Sequence, residues 1–405
     1  MTDQSTLSRH RHREANASVL VVDAHGRPLR DADVTVAQVR HEFGFGCTAP
    51  GAPGDTMLGQ WLDVFDTATL QFYWGRYEPV PGRTGVEELT RRARELADHG
   101  VRLKGHPLVW HTVKAPWVDR LPLDEAEQAL RARVRREVTD FAGLIDIWDV
   151  VNEAVIMPRF ENEPDGVRNA ITRLCEKHGR VEFIRMAVDE ARAANPDAVL
   201  VLNDFDLGPE YERLLGDVLD AGVRIDAIGL QSHMHQGFRG EDQLNEICDR
   251  FARFGVPLHW TETSLVSGDL MPAHIDDLND HVVESWPSTP EGEQRQADEI
   301  VRHYRTLVEH PAVEAITYWG FDDATAWLGA PSGLVRPDGS LKPAYHALRE
   351  LVRGEWWLAP TRMRTDAEGR MLLRGFAGSY EVSAAGSRGE LTVTVGDSAA
   401  RVALR

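Results

Sequence analysis

The segment IDIWDVVNEA, residues 145–154, places a carboxylate directly after a short apolar run. Residues 145–151 are rich in β-branched side chains and mostly apolar on both alternating faces, which is typical of a parallel strand covered by helices on both sides. Glu153 then stands at the carboxyl end of a buried strand. The other Asn-Glu pairs, at 162–163 and 245–246, lie in a polar loop and on a helix-like segment, so neither follows such a strand.

Seven more apolar runs of similar length alternate with helix-period segments between about residues 43 and 320. This alternation indicates repeated β/α units. Eight strands at this spacing predict a closed (β/α)8 barrel, in which chemistry gathers at the carboxyl ends of the strands. The predicted strands are Phe43–Cys47, Val64–Thr67, Arg102–Leu108, Ile145–Val151, Val199–Asn203, Ala227–Gln231, Pro257–Thr261 and Ala315–Trp319.

The two ends of the chain have a different pattern from the middle. Residues 17–40 and 361–405 alternate apolar and polar side chains about Gly-containing turns, as β-hairpins do. Neither piece has enough strands for a stable sheet of its own, so we predict that they pair into one small β-sandwich. The alternative is two separate β-decorations on the barrel. The predicted domains are a disordered tail at 1–16, the paired sandwich, and a catalytic barrel at 41–360.

Composition narrows the classes of partner. The chain has 45 Lys and Arg against 64 Asp and Glu, a formal charge of −19, which disfavours nucleic acid and anionic membranes. A neutral substrate fits this charge better. The three cysteines are scattered, which indicates reduced, buried thiols. The sequence shows no apolar leader and no membrane-spanning run, so it predicts a cytoplasmic protein, or a secreted one if a leader has been removed.

A second strand-end carboxylate is predicted at Glu262, which closes the seventh strand across the barrel mouth from Glu153. Two carboxyl groups over one pocket are what glycosidic bond cleavage requires: one protonates the departing oxygen, and the other attacks carbon or activates water. A gap of about 5–5.5 Å gives retention and one of about 6.5–9.5 Å gives inversion, so these residues alone leave both outcomes open. The acid must also stay protonated near neutral pH, for which the pKa of Glu153 has to be raised by apolar walls or by the charge of Glu262. We expect Trp148, Trp260 and Trp319 to supply such walls.

Six motifs in order resemble those of glycoside hydrolase family 10, the endo-β-1,4-xylanases. They are GHPLVWH (105–111), WDVVNEA (148–154), LNDF (202–205), IDAIGLQSH (225–233), WTE (260–262) and YWGFDDATAWL (318–328). The resemblance covers about residues 40–350. It implies a metal-independent, cofactor-free hydrolase that acts on a carbohydrate, xylan or xylo-oligosaccharide, with net retention.

The resemblance also implies roles for individual residues. Glu153 corresponds to the acid/base and Glu262 to the nucleophile, Asn152 to the residue that bonds the sugar 2-hydroxyl, and His233 to the imidazole that orients the nucleophile. The residues predicted to bind or shape the sugar site are His106, Trp110, Gln231, Trp319, Trp327, Tyr73 and Asn203. Without the resemblance, the tryptophans would be equally compatible with core packing.

The chain departs from the family on the non-reducing side of the cleft. Where the family has the polar residues of an ENxxKW-type stretch, this chain has Thr69, Leu70 and Tyr73. Val113 stands in place of a family Gln, and Asp206 stands in place of the second Asn of an NDYN motif. Each lost hydrogen bond costs roughly 1–3 kcal/mol of discrimination. Either xylan binds more weakly on this side, or Leu70, Tyr73 and Val113 close the cleft to leave a pocket for one terminal sugar or an apolar aglycone.

Three alternatives remain at this point. The first alternative is an exo-acting β-glycosidase on short or aryl glycosides, which would fit the altered cleft. The second is a non-catalytic carbohydrate-binding protein, but binding alone would not need the paired carboxylates. His233 and His235 form an HxH that can be a metal pair, but metal-dependent barrels of the amidohydrolase type carry that pair on the first strand, whereas here it follows the sixth. The loop after Glu262, residues 264–293, is long, acidic and contains Trp286. It either covers the leaving-group side or is a solvated excursion.

Overall fold

The computed structural model describes residues 9–51, 55–161 and 166–405. Two strands, β1 (Glu14–Val22) and β2 (Asp33–His41), precede a closed barrel of eight parallel strands. Each barrel strand pairs with the next along the chain, and the last pairs with the first through Ala315 and Gly44. The barrel strands are β3 (Gly44–Thr48), β4 (Thr67–Gln71), β5 (Arg102–His106), β6 (Ile147–Asn152), β7 (Val199–Asp204), β8 (Ala227–Met234), β9 (Leu258–Leu265) and β10 (Val313–Tyr318).

Helices connect the strands and cover the outside of the barrel. They are α1 (Asp55–Leu62), α2 (Trp74–Tyr77), α3 (Val86–Asp98), α4 (Leu123–Asp140), α5 (Ala170–His178), α6 (Arg180–Ala194), α7 (Pro209–Asp220), α8 (Glu241–Ala252), α9 (Pro290–Glu309) and α10 (Pro343–Glu350). None of the helices in the described residues is both long and apolar enough to cross a membrane. All three cysteines are free thiols and buried, as predicted.

The second barrel strand lies later in the chain than predicted. Residues 64–66 form a buried turn, because the backbone N–H groups of Val64 and Phe65 donate to the carbonyl of Trp61 at 3.1 and 3.0 Å. The strand begins at Thr67, where the prediction Val64–Thr67 ends. A short apolar run is compatible with either structure, so its hydrophobicity did not separate a buried turn from a strand.

A glycine allows close packing beneath the predicted site. Gly105 lies on β5 opposite Trp148 of β6, and a Cβ at residue 105 would stand 2.2 Å from the indole. Trp148 is therefore turned away from the barrel mouth and packs against Phe72 at a centroid distance of 4.9 Å. Trp260 also points outward, where its Nε1 donates to Cys248 Sγ on α8 at 3.3 Å. The expectation that Trp148 and Trp260 wall the active site is wrong.

The two chain ends combine into two small sheets. After the barrel come β11 (Thr361–Arg364), β12 (Arg370–Phe376), β13 (Gly378–Ala384), β14 (Ser387–Val393) and β15 (Gly396–Ala403). One sheet has the order β12-β1-β15 and the other β11-β2-β13-β14, so each contains one strand from before the barrel. Apolar side chains of both sheets, including Val19, Val36 and Leu373, form one core. The predicted barrel with a sandwich built from both ends is confirmed, while the domain boundaries themselves stay a prediction.

The sandwich is attached at the amino-terminal ends of the barrel strands, away from the predicted site. Arg13 donates to the carbonyls of Val308 at 3.3 Å and His310 at 2.8 Å, and also to that of Val313 at the start of β10. His10 is buried, and β1 begins at Glu14, so the predicted disordered tail is wrong for residues 9–16. Residues 1–8 lie outside the described part of the chain.

Candidate active site

The predicted site residues meet at the carboxyl ends of the barrel strands. Asn152 ends β6 and Glu153 follows it, Asn203 lies near the end of β7, and Glu262 lies within β9. The remaining predicted residues come from β5, β8 and the segments that follow β4, β5 and β10. Contacts described below connect all eleven predicted residues.

Two side-chain amides connect the two carboxylates. The Nδ2 of Asn203 donates to Glu262 Oε1 at 2.8 Å and to Asn152 Oδ1 at 2.7 Å. The Nε2 of Gln231 donates to the same Asn152 oxygen at 3.1 Å and to Glu153 Oε1 at 3.2 Å. Asn152 Oδ1 is therefore the shared acceptor of a network that runs from one carboxylate to the other. Such a network fixes the orientation of both acids before any substrate binds.

The carboxyl group of Glu153 has a raised pKa. Burial raises the pKa of its carboxyl to about 8, and the charges of Glu262 and Asp204 act in the same direction. The indole of Trp110 donates to Glu153 Oε2 at 2.8 Å, which favours the ionised form and limits the rise. At neutral pH the group still carries its proton and is available as a proton donor.

Glu262 has the opposite electrostatic environment. Burial alone would raise its pKa, but attraction to His106 and the hydrogen bond with His233 outweigh burial and lower the pKa. His233 Nε2 lies 3.2 Å from Glu262 Oε2, and its Nδ1 lies 3.0 Å from Ser264 Oγ. The carboxylate is thus ionised at neutral pH. A protonated acid and an ionised carboxylate in one pocket are the two forms that acid-assisted displacement needs.

A buried ion pair orients His106 beneath the pocket. Its Nδ1 lies 2.7 Å from Asp149 Oδ2 and 4.0 Å from Glu262 Oε1. The other oxygen of Asp149 lies 2.8 Å from Lys104 Nζ, and both members of this pair are almost fully buried. Sequence reasoning missed Lys104 and Asp149. Their signal was a charged residue in the middle of each of two predicted buried strands, which is costly unless the charges are paired.

Aromatic rings surround the acids. The ring of Tyr73 lies 5.9 Å from His106 and 5.5 Å from Trp110, measured between centroids. Trp319 lies 5.0 Å from His106, and Trp327 lies 4.9 Å from His233. Such rings offer flat apolar faces, onto which the CH faces of a sugar can stack.

The described residues contain no group of three or more His, Cys, Asp or Glu side chains arranged to hold a metal ion. In the HxH pair, the rings of His233 and His235 stack with centroids 5.9 Å apart. Both nitrogens of His233 face protein partners, Glu262 and Ser264. This arrangement leaves His233 no free nitrogen for a metal.

Comparison with known families gives a match over most of the chain. The model described as Glycosyl hydrolase family 10 matches residues 71–351. The chain belongs to glycosyl hydrolase family 10. The resemblance stated from the motifs is therefore confirmed.

Several relatives of this family 10 chain show how far the similarity extends. An anti-sigma-I factor of Acetivibrio thermocellus is 25% identical over 94% of this chain and 46% of its own length. An endo-1,4-beta-xylanase of Geobacillus stearothermophilus is 28% identical, over 65% of this chain and 78% of its own. Endo-1,4-beta-xylanase B of Thermotoga neapolitana is 26% identical, over 70% and 78%. The chain thus spans about half the length of the anti-sigma-I factor.

Solved structures agree in fold. A GH10 structure from Paenibacillus barcinonensis has a TM-score of 0.63 at 24% identity and covers 77% of this chain and 95% of its own. Xylanase 10B of Thermotoga petrophila in complex with xylobiose has a TM-score of 0.61 at 22% identity, over 78% and 95%. Both likenesses concern the barrel fold.

The structure locates four of the residues at which the sequence was predicted to depart from the family motifs. Thr69 and Leu70 are buried, and Leu70 belongs to the barrel core. Tyr73 packs on His106 and Trp110, as described above. Val113 has a backbone φ of 49°, a strained value for a β-branched residue, and its carbonyl accepts from Gly75 N–H at 2.7 Å. Of these four residues, Tyr73 is the one that contacts predicted site residues, His106 and Trp110.

Proposed function

We propose that this chain is a retaining β-glycoside hydrolase that cleaves β-1,4-xylosidic bonds in xylan or xylo-oligosaccharides. One observation carries the proposal: the carboxyl groups of Glu153 and Glu262 meet at the barrel mouth, joined by a network of side-chain amides. Their opposite pKa shifts, upward to about 8 for Glu153 and downward for Glu262, support it. Relatives named endo-1,4-beta-xylanases support the choice of substrate. The net charge of −19 fits a neutral carbohydrate.

In the first step, Glu262 attacks the anomeric carbon while Glu153 gives its proton to the departing glycosidic oxygen. The bond from carbon to that oxygen breaks as the bond to the carboxylate forms, which leaves a covalent glycosyl-enzyme. In the second step, Glu153, now ionised, removes a proton from a water molecule that attacks the same carbon and releases Glu262. Two inversions at one carbon give net retention.

The surrounding residues assist these steps. Asn152 is one residue from the acid, and its Nδ2 donates to Glu153 Oε1 at 3.1 Å, so it lies beside the reacting groups. Its role in bonding the hydroxyl beside the attacked carbon is what the family resemblance implies. His233 and Asn203 hold the two oxygens of Glu262 in place. His106, Trp110, Gln231, Trp319 and Trp327 shape the sugar site. No metal or organic cofactor enters the proposed chemistry.

Tyr73 favours a second candidate, an exo-acting β-glycosidase on short or aryl glycosides. Its ring stands at the position where the family has a polar sugar-binding residue, and it packs on His106 and Trp110. An aromatic side chain there narrows the non-reducing side of the cleft. A product time course on xylohexaose separates the candidates, because internal cuts indicate endo action and release of monomer indicates exo action.

Azide rescue tests the two roles. We expect Glu262→Ala to lower turnover by several orders of magnitude and to recover activity with azide, giving the α-glycosyl azide, since azide then takes the place of the nucleophile. Glu153→Ala with an activated aryl glycoside should give the β-glycosyl azide, because azide then attacks the covalent intermediate. Reactions run with a chelator should be unaffected. No turnover of any β-glycoside by the unmodified protein, with sugar binding retained, would favour a binding protein instead.

A further inference from the structure

Close packing between β7 and β8 determines where the side-chain amide of Asn203 lies. Asn203 pairs with Gly229 across these two strands. A Cβ at residue 229 would stand 2.4 Å from Asn203 Oδ1 and 3.0 Å from its Cα and Cβ, so only glycine leaves room for the amide oxygen. Asn203 is fully buried, and its oxygen therefore needs a hydrogen-bond donor from the protein.

Thr261 supplies that donor. It lies on β9, one residue before Glu262, and it is buried. Its Oγ1 donates to Asn203 Oδ1 at 2.5 Å, the one hydrogen bond that this hydroxyl makes to the described residues. An amide whose oxygen accepts from a hydroxyl points its nitrogen the other way. Here the nitrogen faces Glu262 Oε1 and Asn152 Oδ1.

The hydrogen bonds run in one direction from Thr261 to the two acids. The hydroxyl of Thr261 donates to Asn203, whose nitrogen donates to Glu262. The same nitrogen donates to Asn152, which in turn donates to Glu153. Each bond along such a path polarises the next donor, so the N–H groups that reach the carboxyl groups are strengthened. Thr261 stands at the start of the path, because its own oxygen accepts no hydrogen bond within the described part of the chain.

The two acids depend on this path to different degrees. Asn152 Oδ1 also accepts from Gln231 Nε2 at 3.1 Å, so Asn152 keeps its orientation without Asn203. Glu262 Oε1 accepts one hydrogen bond from the residues that the structure describes, from Asn203 at 2.8 Å. A reversed amide would place Asn203 Oδ1 against this carboxylate, where two acceptors repel each other. The orientation of Asn203 therefore matters most for the charge on Glu262.

We propose that Thr261 is a positioning residue, whose hydroxyl fixes the amide of Asn203 with its N–H toward the nucleophile Glu262. The proposal rests on the proposed function, in which Glu262 must be ionised to attack the anomeric carbon. Thr261 acts through Asn203, and Gly229 assists by leaving space for the amide oxygen. The simpler role for Thr261 is packing in the barrel interior, which would require its shape and not its hydroxyl.

The test compares Thr261→Val with Thr261→Ser. Valine has nearly the shape of threonine but no hydroxyl, whereas serine keeps the hydroxyl and lacks the methyl group. We expect Thr261→Val to lower kcat/KM for xylohexaose by roughly tenfold, mostly through kcat, because the carboxylate loses a well-oriented donor. Its acid limb in the pH profile should move up by about 1 unit, since the pKa of Glu262 rises. Thr261→Ser should keep the acid limb and most of the activity of the unmodified protein.

Thr263→Val is the matched control. Thr263 lies on the same strand and is buried, and its Oγ1 lies 3.2 Å from His303 Nε2. This variant should lower the free energy of unfolding, measured by urea denaturation, without moving the acid limb. An acid limb that Thr261→Val leaves in place would overturn the proposal. Greater loss of activity in Thr261→Ser than in Thr261→Val would also overturn it, because packing would then be the role.

Failure of the proposed function is distinguishable, because the unmodified protein would then turn over no xylohexaose. In that case the ionisation of Glu262 is followed by carbon-13 NMR of its carboxyl group, whose signal is assigned with Glu262→Gln. A higher pKa of Glu262 in Thr261→Val than in Thr261→Ser and the unmodified protein would support the positioning role. Equal pKa values in the three proteins would overturn it.

Discussion

Glu153 and Glu262 share a left-handed backbone, with φ values of 60° and 56°. Residues with a side chain rarely adopt this conformation, and each case costs about 1–3 kcal/mol unless its surroundings enforce it. At Glu262, the register of β9 shifts against both β8 and β10, which marks a bulge. At Glu153, the backbone N–H donates to the carbonyl of Asn203 at 2.8 Å. Both acids are thus aimed by a strained backbone, directly after β6 at Glu153 and at a bulge within β9 at Glu262.

This strain predicts an order of stability among inactive variants. Glycine adopts positive φ without a steric penalty, whereas alanine does not. We expect Glu262→Gly to be more stable than Glu262→Ala by about 1 kcal/mol in free energy of unfolding, measured by urea denaturation. Neither variant should turn over substrate. Equal stability of the two would show that the backbone relaxes at residue 262 once the carboxylate is gone.

The pH dependence of kcat/KM should follow the two shifted acids. Glu153, with its pKa raised to about 8, must be protonated to act, so activity falls as pH rises through about 8. Glu262, with its pKa lowered, must be ionised, so the acid limb lies below the ordinary glutamate value of 4.5. The measurement is a pH profile on xylohexaose. A basic limb at pH 6 would contradict a pKa of about 8 for Glu153.

Asp204 should influence that basic limb. It is buried, which raises its pKa to about 7, and its charge contributes to the raised pKa of Glu153. Asp204→Asn removes this charge, so the pKa of Glu153 falls and the basic limb moves to lower pH. The variant should also lose roughly 1–3 kcal/mol of stability, since Asp204 accepts from the backbone N–H groups of Val155 and Asp206. Asp206→Asn is the comparison: it removes a charge that raises the pKa of Asp204, so Asp204 stays ionised and the limb should not move to lower pH.

The position of Glu153 could be predicted from sequence, since a β-branched apolar run followed by Glu places the carboxylate at a strand end. Glu262 lies on the predicted strand, but the prediction that it closes that strand is wrong, because β9 continues to Leu265. The direction in which Trp148 and Trp260 point could not be predicted from sequence. The pairing of β6 with β7 shifts register between Asp149 and Val151, and such a bulge changes which residues face inward. Trp148 consequently packs outward, while Asp149 reaches His106. The buried ion pair of Lys104 and Asp149 could not be predicted, because the two residues are 45 positions apart and the sequence does not show that they are partners.

Tyr73 should govern the length of substrate accepted. Replacing it by Ala removes the ring that packs on His106 and Trp110 and opens the non-reducing side. We expect Tyr73→Ala to raise kcat/KM for xylohexaose relative to para-nitrophenyl β-xyloside several-fold. Tyr73→Phe keeps the ring and is the control that should retain the preference of the unmodified protein. If both variants behave alike, the hydroxyl rather than the ring limits binding.

Arg13 should matter for stability and not for catalysis. It donates to the carbonyls of Val308 in the last turn of α9, His310 after that helix and Val313 at the start of β10, on the face opposite the acids. We expect Arg13→Ala to lower the free energy of unfolding by about 1–3 kcal/mol, because buried carbonyls lose their donor, while kcat at 25 °C stays unchanged. Arg11→Ala, two residues earlier and exposed, is the comparison and should have little effect. A drop in kcat for Arg13→Ala would mean that the sandwich affects the barrel mouth.

The position of β1 between β12 and β15 sets an order of events during translation. Residue 22 leaves the ribosome about 350 residues before residue 370, the start of its first partner. At roughly 5–20 residues per second, β1 waits on the order of 20–70 s with both hydrogen-bonding edges open. The barrel can form in that interval, but the sandwich cannot. An unpaired strand on a nascent chain is a site for chaperones and for aggregation, so slow synthesis anywhere between residues 22 and 370 should lower the yield of folded protein.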